Sequence, residues 1–154
     1  MSLAEREAST LTSLLTATRD RTWWLLIVIA PVVWLALATF GPGVTATRPP
    51  LSVFIYGVLL YPLLEEFVFR GLLHASLLQI DVMRQRIGPL SLANAITSVL
   101  FAISHLISQS PLQAASVFLP SLAFGYVFER YGHVAPAILL HAFYNAGFLW
   151  LFAR

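Results

Sequence analysis

LSVFIYGVLLYPLLEEFVFRGLLHASLL, residues 51–78, is apolar almost throughout, yet its second half carries Glu65, Glu66, Arg70 and His74. The run exceeds the about 20 residues that cross a hydrocarbon core of about 30 Å. An ionised side chain at such depth costs at least ~2.5–3.5 kcal/mol on insertion scales, so such residues face a bundle interior, a wet cavity or each other. Two adjacent acids and an arginine in one span therefore read as a site.

The rest of the chain is of the same kind. Its 154 residues are 58% hydrophobic and 10% charged, with a mean hydropathy of +0.80, far outside the composition of a soluble domain. The chain reads as an integral membrane protein, and its length suits one compact bundle with no room for a second domain. All nine basic residues are arginine, set against seven acids, and a formal net charge of +2 does not suggest nucleic acid as a partner. Cysteine is absent, which removes disulfides, thiolate ligands and a cysteine nucleophile.

The apolar pattern predicts an all-α, polytopic transmembrane bundle of about five spans, at 23–40, 51–78, 90–107, 112–128 and 134–152. Residues 23–154 form a single membrane-embedded domain, and residues 1–22 read as a polar tail or an interfacial helix, with Leu3, Leu11, Leu14 and Leu15 at roughly helical spacing. The first span opens on Trp23 and Trp24, where an aromatic belt sits, and ends at Gly41-Pro42-Gly43. It is too long for a signal-peptide core and lacks a clear cleavage site, so it is read as retained. Pro62, just before the two glutamates, is expected to break the second span beside a polar cavity. Residues 81–89 read as a loop, and Ser121 and Gly125 as a small-residue pair for close helix contact. With a cytoplasmic N-terminus, Arg6, Arg19, Arg21, Arg84, Arg86 and Arg130 fall inside and Arg48 and Arg154 outside, in keeping with the positive-inside rule.

Within the second span Glu66 and Arg70 are four apart and share a helix face, where an ion pair offsets part of the burial cost. Glu65 is turned by about 100° from Glu66 and is free to face another neighbour. His74, one turn past Arg70, reads as an interfacial histidine without a catalytic part. The third span places Phe101 and His105 four apart, and the fifth does the same with His141 and Asn145. An imidazole and a carboxamide one turn apart can donate to the same oxygen, as in an oxyanion site, or can simply clamp helices together. Polar groups this costly on three spans are best satisfied by converging on one wet cavity. No G-x-S-x-G elbow or Ser/Lys pairing supports a serine nucleophile. A carboxylate beside a histidine can instead take a proton from water and direct it at a carbonyl, with His141 and Asn145 as oxyanion donors. The reaction class that emerges is amide hydrolysis.

Glu65-Glu66-x-x-x-Arg70, Phe101-x-x-x-His105 and His141-x-x-x-Asn145, in that order on successive spans, resemble the motif set of the CAAX protease and bacteriocin-processing (CPBP, or Abi) family of intramembrane glutamic proteases. The resemblance covers about residues 51–152 and implies that the last four spans form a catalytic core. It implies that Glu65, helped by His105, activates the attacking water, that His141 and Asn145 form the oxyanion hole, and that Glu66 and Arg70 support the site, with no metal and no cofactor. It also implies a membrane-anchored protein or peptide as substrate, lipid as the surrounding partner, and the bacterial inner membrane as location. In its small size the chain is similar to bacterial members linked to C-terminal protein sorting.

Two other readings stand beside this one. Glu65, His105 and His141 could hold zinc as a three-ligand catalytic site, although no H-E-x-x-H motif is present. Alternatively, the polar residues only hold helices together in a non-enzymatic immunity or scaffold protein. Counting 1.5 Å per residue also leaves a depth mismatch, with Glu65 and His141 nearer the cytoplasmic ends of their spans and His105 nearer the outer end of its own. The motifs meet only if helices are tilted, broken at Pro62 or staggered.

Overall fold

The computed structural model describes residues 3–41, 43–45 and 48–152, without the side chains of Leu3, Ala4 and Arg6. Arg154, Pro42 and the side chain of Arg6, which entered the sequence reading, lie outside what is described. Among the described residues the chain forms six helices: α1 Leu3–Thr18, α2 Arg21–Phe40, α3 Leu51–Leu77, α4 Leu92–His105, α5 Pro111–Tyr131 and α6 Val134–Phe152. Of these, α2, α3, α5 and α6 are long and apolar enough to cross a membrane, and α4 is a shorter apolar helix. The protein is thus an all-α membrane bundle.

Local chemistry sets the boundaries. Asp20 caps α2, its side chain accepting the Thr22 N–H at 2.9 Å, so the N-terminal segment is helical up to Thr18 and turns there. Pro50 precedes α3 and Ser110 opens α5 with a capping box to Gln113, followed by Pro111 at the first helical position. A brief interruption at Val117 divides α5, which then runs past residue 128 to Tyr131, where Gly132 adopts φ +66° and stops it. The stretch expected to be a plain loop at 81–89 holds a 3₁₀ turn, Asp81–Arg84, and the first strand of a two-stranded hairpin, β1 Arg86–Ile87 with β2 Leu90–Ser91. Residues 90–91 therefore belong to a strand, and Ser91 caps α4 by accepting the Asn94 N–H at 3.0 Å. This is why the third helix is two residues later at its start, and shorter, than 90–107.

The expected break at Pro62 is absent. Helix α3 runs through it by shifting hydrogen-bond register, with π-helical turns at Tyr56–Leu60 and Phe67–His74. Tyr61 N–H bonds to Tyr56 O, five residues back, and Pro62 has no N–H to continue that register onto Gly57 O. Asn145 Nδ2 from α6 donates to Gly57 O at 2.9 Å instead, so the carbonyl is satisfied and the helix continues. The wider turns also align side chains. In a regular α-helix positions four apart drift by about 40° per step, whereas here Pro62, Glu66, Arg70 and His74 are all buried on one face.

Glycines let the helices close on this face. A Cβ on Gly125 of α5 would lie 2.0 Å from Asn94 Oδ1 of α4, and one on Gly147 of α6 would lie 2.2 Å from the Trp34 ring of α2. Phe124, Val127, Ala137 and Leu140 form the centre of the core, joined by Trp23 and Ala17 from α1 and α2. Exposed leucines and valines of α2 and α3 make the lipid-facing surface. At one end of the bundle sit α1, the hairpin and the Gly132 turn, tied by Arg130 Nε to Asp20, Thr10 to His133, and Arg86 to Glu129. At the other end Arg48 donates to Trp150 O and Thr45 to Leu151 O.

Candidate active site

The polar face of α3 meets α4, α5 and α6 around Phe101. The Arg70 guanidinium is fully buried, and its two Nη groups are held by neighbours while its Nε–H has no hydrogen-bond partner among the described residues. Nη1 donates to Glu66 Oε1 at 2.9 Å, Nη2 to Ser121 O at 2.8 Å and to Ser121 Oγ, and the rings of Phe101 and Phe124 lie 4.9 and 5.6 Å from its carbon. Such an ion pair survives burial only with this many supporting contacts. Ser121 was legible only as a small residue; its carbonyl and hydroxyl are what hold Arg70.

Glu66 Oε1 accepts a second hydrogen bond, from His141 Nδ1 at 2.8 Å. A carboxylate already paired with Arg70 is an acceptor, so His141 Nδ1 carries the proton in this contact. The imidazole is further fixed by stacking on Phe124, 4.5 Å between centroids with planes 16° apart. Its other nitrogen, Nε2, faces Glu65 Oε2 at 3.7 Å. That separation is long for a direct hydrogen bond and near enough for one water molecule to bond to both. Glu65 keeps 31% of its side-chain surface exposed while Glu66 keeps none. The two adjacent acids thus occupy different environments: one sealed between Arg70 and His141, the other open.

His105, at the last position of α4, donates from Nδ1 to Phe101 O at 2.8 Å, which leaves Nε2 as the free nitrogen of the neutral ring. Phe101 is the hub, with its ring 4.6 Å from His105, 5.8 Å from His141 and 5.0 Å from Phe69. Ser91, at the start of α4, shares Glu129 with His74, while Phe101 further along α4 meets Phe69 and Arg70. Both ends of α4 thus meet the second half of α3, one through Glu129 and the other directly.

The structure therefore brings Glu65, Glu66, Arg70 and His141 together, with His105 beside them across Phe101. Asn145 lies one turn further along α6, its amide engaged with Gly57 O. Glu65, His105 and His141 are not gathered as a metal-ion site, and no such group of three or more His, Cys, Asp or Glu occurs among the described residues.

His74, read from sequence as an interfacial histidine without a catalytic part, is enclosed by the bundle. It is fully buried, packs against Phe128, and contacts Glu129 Oε1 through Nε2 at 3.0 Å. Glu129 also takes hydrogen bonds from Ser91 and Arg86. Read from sequence, Glu129 belonged to a turn; the continuation of α5 to Tyr131 turns it inward. This second polar cluster ties α3, α5 and the hairpin together, and the only hint of it was a histidine four residues past Arg70.

A family model described as Type II CAAX prenyl endopeptidase Rce1-like matches residues 47–147. No curated protein and no solved structure matches the chain. The matched stretch contains Glu65, Glu66, Arg70, His105, His141 and Asn145 and leaves out α1 and α2, so the part that aligns is the part that builds the polar centre. The chain accordingly belongs to the Rce1-like family of CAAX prenyl endopeptidases, and is a membrane protease of that family.

Proposed function

We propose that the protein is a glutamic-type intramembrane endopeptidase that hydrolyses a peptide bond of a membrane-anchored protein, with Glu65 as the base. The observation that carries this reading is the asymmetry of the two acids. Glu66 is committed to Arg70 and His141, whereas Glu65 is open and faces the free nitrogen of His141. Glu65 removes a proton from a water held with the help of His105 Nε2, and the oxygen of that water adds to the scissile carbonyl carbon. The resulting oxyanion accepts hydrogen bonds from His141 and Asn145. His141 has its Nδ1–H on Glu66, so it donates from Nε2 only as the imidazolium. Asn145 spends one Nδ2 hydrogen on Gly57 O and keeps the other for the oxyanion. When the tetrahedral carbon collapses, the C–N bond breaks and Glu65 returns its proton to the departing amine, leaving a carboxylic acid and an amine.

The arginine asymmetry supports an orientation with the α1 end in the cytoplasm, since Arg19, Arg21, Arg84, Arg86 and Arg130 lie there and Arg48 at the other end. A bacterial inner membrane fits this reading. The experiment is to express wild-type protein and Glu65→Gln in cells lacking it and to follow its membrane-anchored proteins by mass. Loss of general-base catalysis lowers turnover by ~10²–10⁴-fold, so an anchored protein cut in wild-type cells should accumulate intact with Glu65→Gln. Normal processing by a folded Glu65→Gln protein would sink the assignment.

A further inference from the structure

Where α1 turns into α2, on the face that carries most of the arginines, a groove of about 680 Å³ is lined by Thr12, Leu15, Thr16, Arg19, Asp20 and Arg21. It lies outside the part of the chain that matches the protease family. We propose that this groove is a binding site for an anionic phospholipid, gripping the phosphodiester of its headgroup between Arg19 and Arg21.

Charge is the first support. Both arginines are exposed, and neither guanidinium makes a hydrogen bond or an ion pair among the described residues. The one acid in the groove, Asp20, is already spent: Oδ1 accepts the Thr22 N–H, and Oδ2 accepts Arg130 Nε and the Tyr131 hydroxyl. Arg130 neutralises that carboxylate, so Arg19 and Arg21 present two uncompensated guanidiniums, suited to a phosphate diester by their planar donors. The Thr16 hydroxyl donates back to Thr12 O, while the exposed Thr12 hydroxyl has no such partner and can add a donor.

Position decides between lipid and free phosphate. Trp24, whose indole N–H donates to Thr18 O, sits just beyond the groove at the level where aromatic belts mark the bilayer surface. From Arg21 the exposed Leu25, Val28 and Val32 follow at helical spacing along α2 into the apolar zone, and the exposed Leu15 of α1 lines the groove itself. A headgroup in the groove has an apolar track for its acyl chains, which inorganic phosphate does not need.

The test uses the full-length protein in a neutral detergent, with bound lipid counted by intact-complex mass spectrometry. Phosphatidylglycerol should be retained about tenfold or more over phosphatidylcholine. Arg19→Gln and Arg21→Gln should each weaken that preference, and the double variant should abolish it. Arg48→Gln, at the other end of the bundle, should leave it unchanged. Circular dichroism of each variant establishes that the helices persist; the exposed single variants carry the test if the double variant is poorly folded. Undiminished phosphatidylglycerol retention in the folded Arg19 and Arg21 variants would overturn the proposal. So would displacement of the lipid by millimolar inorganic phosphate, which would make the groove a site for the free ion.

Discussion

His141 decides what each of the two glutamates can do. By taking Glu66 with Nδ1 and presenting Nε2 to Glu65, it turns two identical side chains into a sealed ion-pair partner and an open carboxylate. Glu66→Ala leaves the buried Arg70 without its counter-charge, and breaking a buried pair on one side costs about 3–5 kcal/mol. The expected outcome is loss of folded protein, seen as a collapsed melting transition in detergent, whereas Glu65→Gln should melt as wild type. Equal destabilisation by the two changes would remove the division of labour. Asn145→Ala should show a mixed phenotype, with lowered stability from the orphaned Gly57 carbonyl as well as lowered turnover, because its amide already serves α3. The pairing of Glu66 with Arg70 was legible because a spacing of four fixes both on one helix. The contact of His141 with Glu66 was not, since it depends on how α6 is rotated against α3. The partner of His74 was hidden for a related reason: Glu129 is far away in sequence and lies just past the end expected for its span.

At the scale of elements, α3 shows how a proline is accommodated inside a continuous membrane helix. The register shift to i→i+5 spreads over the turn before Pro62, and a side chain from α6 satisfies the freed carbonyl. Proline and glutamates together were read as a broken turn; the missing information was the carboxamide partner, which no local pattern contains. The α4–α5 contact is a second test of element packing. A Cβ at Gly125 would overlap Asn94, whose amide also donates to Leu122 O and whose Oδ1 accepts from Ser98. Overpacking of this kind costs about 1–3 kcal/mol, so Gly125→Val should lower the melting temperature; an unchanged transition would mean that α4 and α5 can separate freely. The Ser121/Gly125 spacing announced close approach. It did not announce that one member receives an arginine and the other an asparagine.

The whole molecule is held at its arginine-rich end by links between the N-terminal helices and the core. Asp20 is central, and its carboxyl is held well below the usual carboxylate range, first by the Arg130 hydrogen bond and then by the Thr22 N–H. A carboxyl depressed in the folded state contributes stability above its unfolded value and loses it only as the pH falls through the folded one. The stability difference between wild type and Asp20→Asn should therefore stay constant from about pH 8 to about pH 5. A difference that vanished within that window would mean that the carboxylate is not held by Arg130. The count and order of the apolar helices were legible from hydropathy alone, because bilayer thickness sets their length. The shortness of α4 was not, because the hairpin and the Ser91 cap take residues that look equally apolar. That shortness bears on the solvent as much as on the protein. At 1.5 Å per residue, the 14-residue α4 covers about 21 Å, well below the about 30 Å of a typical hydrocarbon layer. Val99 and Ile103 of α4 are exposed, and the exposed Leu106 and Ile107 follow His105. By hydrophobic mismatch, a helix this short would draw the headgroup region inward on this flank and bring the hydrolytic reactant, water, beside the polar centre. Turnover should then fall as the protein is moved from thin to thick phosphatidylcholine bilayers at constant fold, whereas a rate indifferent to acyl length would mean that water arrives by another route.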